Sequence, residues 1–168
     1  MYPLKTDLII QIMIKICIIV KEIHKLGIIH RDIKLENFII KYSYYPLKNN
    51  SDFEINIIDW GASCFQSKCP NNKYGTSKWS SSPEMFIDKP IYDYKNDIWA
   101  LGIMLFIMCA HDFPFDVLDF RVAMIINYEI NYSKIKQEHL YFISLIKKIL
   151  CPYEHRISID EILLYFLP

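Results

Sequence analysis

The chain predicts a mainly α fold, a helical bundle carrying one small β-hairpin element, and three observations lead there. Apolar residues recur at helical spacing over most of the length. Two short β-branched runs lie near one another in the first third. No internal repeat or linker divides the 168 residues, a length suited to one domain with a real core. A hydrophobic fraction of 52% and an aromatic fraction of 15% fit a packed body.

The elements follow in order. From Thr6 to Leu26 the apolar residues keep a helical period, Thr6 or Asp7 is placed to cap the start, and Gly27 stands where the helix should end. Asn37 to Lys41 and Ile55 to Ile58 read as two strands. Between them, Tyr42 to Phe53 is polar with Asn49-Asn50-Ser51-Asp52 at its tip, a long turn region. Ala62 to Ser82 lacks periodicity and carries Ser, Asn, Lys and Gly, the profile of a long functional loop. The helical pattern then returns: a short segment near Pro83 to Ile87, a strongly apolar helix from Asn96 to Cys109, and others near Leu118 to Asn127, Gln137 to Leu150 and Ser158 to Phe166. Pro114 and Pro152 punctuate the connections.

Charge and cysteine usage narrow the function classes. With 19 basic and 19 acidic side chains the formal net charge is zero, so no global field favours nucleic acid or an anionic membrane. The five cysteines, Cys17, Cys64, Cys69, Cys109 and Cys151, are odd in number and mostly embedded in apolar runs, which favours reduced thiols over a disulfide framework. Cys64 and Cys69 lack a second Cys/His pair at ligand spacing, so structural zinc is not expected. The apolar runs Leu8 to Val20 and Ile98 to Ala110 are too short to span a bilayer, and no small-residue cleavage site follows the first before Lys21. The expectation is a soluble, intracellular, cytoplasmic protein.

The chemistry concentrates in His30-Arg31-Asp32, followed by Lys34 and Asn37 and then by Asp59-Trp60-Gly61. Two separate carboxylates, an amide and a lysine are what a site needs to hold metal-bound phosphates and position a hydroxyl for attack. The spacing fits H-R-D-x-x-x-x-N with a downstream D-F-G at every fixed position, Trp60 standing for Phe. Downstream come Ser82-Pro83-Glu84, where the pattern has Ala-Pro-Glu, then Asp97-x-Trp99-x-x-Gly102, then Arg156.

On these residues the chain resembles the C-terminal lobe of the eukaryotic protein kinases, over residues 1–168. The long strand connection and Asn37-Phe38 are loosely similar to the calcium/calmodulin-dependent group. The resemblance implies a serine/threonine protein kinase that transfers the γ-phosphoryl of ATP, with Mg2+, to protein hydroxyls. Asp32 would accept or orient the substrate hydroxyl proton. Asn37 and Asp59 would supply hard oxygen ligands to magnesium, and Lys34 a mobile cation for the transferring phosphoryl group. A lysine at 34 points to serine/threonine rather than tyrosine acceptors. Arg31 would pair a phosphorylated loop residue, with Ser63, Ser67, Thr76 and Ser77 as open alternatives. Glu36 is either a selector of basic residues before the acceptor or an exposed carboxylate. Glu84 with Arg156, and Asp97 against the catalytic-loop backbone, carry over as structural pairs. The implied partners are ATP, a protein substrate and a partner covering the surface that faces the other lobe, with no nucleic acid and no membrane span.

The departures are specific. The family's nucleotide site also needs a Gly-rich loop, a strand lysine and a helix glutamate, yet the four glycines, Gly27, Gly61, Gly75 and Gly102, all fall at C-lobe positions. Five strands of about 5 to 6 residues each do not fit ahead of His30, so the N-terminal lobe is expected to be absent. One extra residue separates Gly75-Thr76 from Pro83-Glu84, and Pro152 lies one residue further from Arg156 than the family pattern has it. Two readings follow: a kinase in truncated form, or a catalytically inactive kinase-like module that binds or scaffolds partners.

Overall fold

A computed structural model describes residues 4–42, 53–69, 81–115 and 129–167. The expected helix at Leu118 to Asn127, the turn tip at 49–52, and Thr76 and Ser77 lie outside the described residues.

Helix α1, Thr6–Lys25, buries Ile9, Met13, Ile16, Val20 and Ile23, alternating steps of four and three that make one stripe. Its N-cap is Lys5 and no side chain caps it. The capping role expected of Thr6 or Asp7 is not realised, because the Thr6 hydroxyl donates instead to the Glu138 carbonyl at 3.0 Å and meets His139 Nδ1 at 3.0 Å. Gly27 ends the helix at φ 76, and its N–H donates to the His24 carbonyl at 2.9 Å.

The hairpin pairs β2, Phe38–Tyr42, with β3, Phe53–Ile57, antiparallel and in the register Phe38 to Ile57. Each strand starts away from its expected bounds. Asn37 belongs to a 3-10 turn, Leu35–Asn37, and β3 begins at Phe53, which is buried. A second pairing has no counterpart in the sequence reading: β1, Ile28–Ile29, runs antiparallel to β4, Cys64–Phe65.

Helix α2, Tyr94–Ala110, is buried on all sides, as expected for a central helix without an amphipathic stripe. Asp93 and Asn96 form a capping box that starts it: Asp93 Oδ1 accepts from Lys95 N–H at 2.7 Å, and Asn96 Oδ1 from Asp93 N–H at 2.8 Å. The segment expected near Pro83 to Ile87 is a single 3-10 turn, Pro83–Met85. The expected helix from Gln137 to Leu150 divides into a 3-10 stretch, Gln137–Phe142, and α3, Ile143–Ile149. Helix α4, Ile159–Phe166, opens on a Ser158/Glu161 capping box. Around Trp99, Phe106 and Phe142, each essentially fully buried, α1, α2, α3 and α4 share one core.

The cysteine expectation is corrected in one place. Cys64 and Cys69 form a disulfide, because the 3-10 turn Gln66–Lys68 folds the chain back until their Cα atoms are 5.2 Å apart. Cys17, Cys109 and Cys151 are free thiols. Among the described residues no helix is long and apolar enough to cross a membrane, and no group of three or more His, Cys, Asp or Glu is placed to hold a metal ion.

Candidate active site

The loop between β1 and β2 carries the polar residues, and α2 sets its backbone. His30 and Arg31 donate their N–H groups to Asp97, at 2.9 Å to Oδ2 and 2.8 Å to Oδ1. Arg31 occupies the left-handed region at φ 68, a conformation non-glycine residues adopt only when their surroundings hold them there. The Asp97 carboxylate supplies that hold, and Asp97 is itself 1% exposed. His24 completes the cluster, its Nε2 at 2.9 Å from Asp97 Oδ2.

Asp32 is buried and accepts two side-chain hydrogen bonds at Oδ2, from Lys34 Nζ at 2.6 Å and from Asn37 Nδ2 at 2.9 Å. Asn37 Nδ2 also donates to the Asp32 carbonyl at 2.8 Å, locking the five-residue turn. The hydrogen bond to Asp32 raises the Lys34 pKa above the ordinary lysine value, which keeps the ammonium charged. Three of the residues singled out by spacing thus meet around one carboxylate.

The hairpin ladder brings in the fourth. Beyond the Phe38–Ile57 pair, Ile58 N–H donates to the Asn37 carbonyl at 2.9 Å, so Asp59 directly follows a residue hydrogen-bonded to Asn37. Asp59 is exposed, takes a left-handed backbone at φ 63, and accepts from Gly61 N–H at Oδ1 at 3.3 Å. The Asn37 amide gives its nitrogen to Asp32, which leaves oxygen as the type of donor it can offer a cation. Two hard oxygen donors suit Mg2+, which keeps water and phosphate oxygens for its remaining positions, so the side chains present fit the implied metal.

Trp60, in the aromatic position after Asp59, lies against His30 with ring centroids 5.0 Å apart. His30 is fully buried, and burial lowers its pKa below the usual imidazole value. Arg31 turns its guanidinium over the Tyr92 ring, 4.9 Å from the centroid, and burial lowers its pKa too. Of the serines weighed as loop acceptors, Ser63 is half-buried and donates to the His30 carbonyl at 3.2 Å, while Ser67 is exposed. Glu36 is exposed.

Glu84 and Arg156 meet as a buried bidentate pair, Nη1 to Oε1 at 2.6 Å and Nη2 to Oε2 at 3.0 Å. Arg156 also donates to the Lys95 carbonyl at 2.9 Å and the Cys151 carbonyl at 3.1 Å, and lies over the Trp99 ring. Asn96 Nδ2 donates to Glu84 Oε1 at 3.0 Å, tying the pair to the start of α2.

His24, Tyr92 and Asn96 are the supporting residues that sequence reasoning missed. His24 follows Val20 by four residues on the buried stripe of α1, so a polar side chain there was the available signal. The hairpin and the loop after it leave Ile39, Ile58 and Trp60 exposed.

A helical body whose central helix fixes the Asp32 loop, with a hairpin leading on to Asp59, is the arrangement that the sequence resemblance implies. The protein kinase domain family model matches residues 2–165, and the chain belongs to the protein kinase family. It is 34% identical over 121 residues to the serine/threonine-protein kinase PRR1 of Saccharomyces cerevisiae, covering 67% of this chain and 23% of that protein. It is 40% identical over 85 residues to a probable casein kinase II subunit alpha homolog of Encephalitozoon cuniculi, covering 49% of this chain and 24% of that one. To the human MAPK/MAK/MRK overlapping kinase it is 34% identical over 107 residues, 62% of this chain and 23% of that protein. The chain therefore spans under a quarter of the length of these curated relatives.

Proposed function

We propose that the site serves serine/threonine protein phosphorylation, with Asp32 receiving the substrate hydroxyl and Lys34, Asn37 and Asp59 holding the Mg2+-bound phosphates of ATP. The observation that carries this reading is the convergence of Lys34 Nζ and Asn37 Nδ2 on Asp32 Oδ2. When bound, Mg2+-ATP supplies the phosphoryl group and neutralises charge on its oxygens. The chain's own residues do the rest. Asp32 orients the hydroxyl and takes its proton, Lys34 offers a charged donor beside the transferring group, and Asn37 fixes Asp32 while offering an oxygen to the metal. Arg31 would pair a phosphorylated hydroxyl in the segment after Gly61, Thr76 among the acceptors. A cytoplasmic site of action fits this substrate class.

No G-x-G-x-x-G occurs in these 168 residues, so the nucleotide needs covering groups beyond those of the C-terminal lobe. Exposure of Ile39, Ile58 and Trp60 favours a second reading for the 168 residues alone: a kinase-like module that presents this face to a covering partner instead of turning over.

The decisive assay incubates the protein with Mg2+ and γ-labelled ATP on dephosphorylated casein, and compares Asp32→Asn. Label transferred to serine or threonine by the parent and lost in the variant supports the enzyme; equal label in both sinks it. For the 168-residue chain, calorimetry should give Mg2+-ATP binding weaker than about 1 mM, a contact energy under about 4 kcal/mol. Micromolar affinity would overturn the half-site reading.

A further inference from the structure

We propose that Cys64 and Cys69 form a reversible thiol–disulfide switch that sets how the chain leaves the metal loop. Two independent observations converge on this pair. The first is position. Cys64 lies in β4, directly opposite Ile29, the residue before His30. Ser63 Oγ donates to the His30 carbonyl at 3.2 Å, and Gln66 N–H donates to the Gly27 carbonyl at 2.9 Å. The chain from Ser63 to Gln66 is thus stitched to residues 27–30, which lead into the catalytic loop. Beyond it, the turn Gln66–Lys68 has no side-chain cap and no buried residue. The bond from Cys69 back to Cys64 closes that exposed turn covalently.

The second observation is chemical contrast among the five cysteines. Cys17 and Cys109 are buried in the core, and burial pushes both thiols up to about 12. Cys151 donates its Sγ hydrogen to the Lys148 carbonyl at 3.2 Å, and burial raises its pKa as well. Thiolate is the reactive form, so these three are poor exchange partners. Cys64 and Cys69 are only half-buried, and the residues between them, Phe65 to Lys68, are all exposed. A small thiol or disulfide can reach the pair.

The exchange balances with a low-molecular-weight disulfide as oxidant. One cysteine thiolate, its proton given to water, attacks glutathione disulfide; a Cys–glutathione bond forms and one glutathione thiolate leaves. The second cysteine thiolate attacks the protein sulfur of that mixed disulfide, forming the Cys64–Cys69 bond and expelling the second glutathione. Two protein thiols are oxidised and one glutathione disulfide is reduced to two thiols. Reduced glutathione in excess runs both steps backwards. Where thiol buffers operate, a protein disulfide is more often a sensor than a framework, and an accessible bond closing a five-residue step of an exposed turn fits a sensor.

The test requires no phosphoryl transfer, so its failure is separable from failure of the kinase reading. The full chain is equilibrated in mixtures of reduced and oxidised glutathione, trapped with iodoacetamide, and digested with trypsin without reductant. In the oxidising mixture the peptide ending at Lys68 should be found joined to the one from Cys69 to Lys73. In the reducing mixture both cysteines should be alkylated, while Cys17 and Cys109 stay protected until unfolding. Brief native trypsinolysis should cut after Lys68, in the turn the bond closes, several-fold faster in the reduced protein than in the oxidised one. Cys69→Ser should be cut at the fast rate in both mixtures, and Cys151→Ser should behave as the parent. Absence of the joined peptide at every ratio, or equal cleavage rates in the two states, would overturn the switch.

Discussion

Asp97 holds Arg31 in a left-handed backbone: the Arg31 N–H donates to Asp97 Oδ1 at 2.8 Å while Arg31 sits at φ 68. The other oxygen of the same carboxylate takes the His30 N–H and His24 Nε2, both at 2.9 Å. A central helix buried on every side therefore reaches the loop from His30 to Asn37 through one side chain, and the loop's left-handed turn places Asp32 one residue on.

Asp97→Asn separates the contributions. The amide keeps the shape but offers one acceptor oxygen in place of two, so one buried backbone N–H loses its partner. Such an orphan costs about 1–3 kcal/mol, and the loss should appear as a lower urea midpoint with an unchanged slope. His24→Phe keeps both backbone bonds and should cost less. If Asp97→Asn unfolds at the parent's midpoint, the carboxylate is not what holds the turn.

The Glu84–Arg156 pair makes a sharper demand. Both groups are buried, and removing one leaves the other charged and desolvated, a penalty of about 3–5 kcal/mol. Glu84→Ala also strips Asn96 Nδ2 of an acceptor. We expect Glu84→Ala and Arg156→Ala each to lower soluble yield and melting temperature strongly, and the double variant to lose far less than the sum. Additive losses across that double-mutant cycle, or unchanged melting of Glu84→Ala, would contradict a buried ion pair.

What the residues disclosed without coordinates follows from how local each signal is. The α1 stripe, the all-round apolar α2 and the last helix are encoded within one or two turns, and each is where its pattern predicts it. The spacing of Asp32, Lys34 and Asn37 was also enough to bring them together, because the turn joining them is only five residues long. The β1–β4 pairing was invisible because two-residue strands carry no periodicity and their partners are far apart in sequence. The 3-10 stretch Gln137–Phe142 was read as helix, since a hydrophobic pattern does not distinguish a three-residue turn from a 3.6-residue one over so short a run. Thr6 looked like a cap, but a capping hydroxyl also fits a tertiary acceptor, and Glu138 supplies one.

Gly102 packs α2 directly against the end of α3. A Cβ built there would lie 2.5 Å from Ile149 Cγ2 and 2.8 Å from Leu150 Cδ2. Both neighbours are buried, so neither has open space to move into. Gly102→Ala should therefore lose stability, by about 1–3 kcal/mol for an overpacked core, although alanine is the better helix former. Denaturant unfolding decides it: a variant more stable than the parent would mean the two helices can separate at little cost.

Two buried histidines should make the fold sensitive to mild acid. His30 and His139 are fully buried, and burial lowers the pKa of each below the ordinary imidazole value. Around His30 the carboxylates Asp97, Asp32 and Asp59 and a backbone hydrogen bond at Ile58 pull the other way; around His139 Glu138 and a backbone hydrogen bond at Leu4 do so while His111 and Lys136 add to the lowering, and desolvation wins in both cases. The unfolded chain then binds protons near pH 6.5 that the folded chain does not accept until lower pH. Their stabilisation is complete above that unfolded value and drains away as pH falls toward the folded values, at up to about 1.4 kcal/mol per pH unit for each histidine. The urea midpoint should drop between pH 7.5 and 5.5, a window above the ordinary carboxylate range near pH 4. His30→Phe should flatten the drop without abolishing it, since His139 remains. A midpoint that holds steady from pH 7.5 to 5.5 in the parent would show that neither imidazole resists protonation.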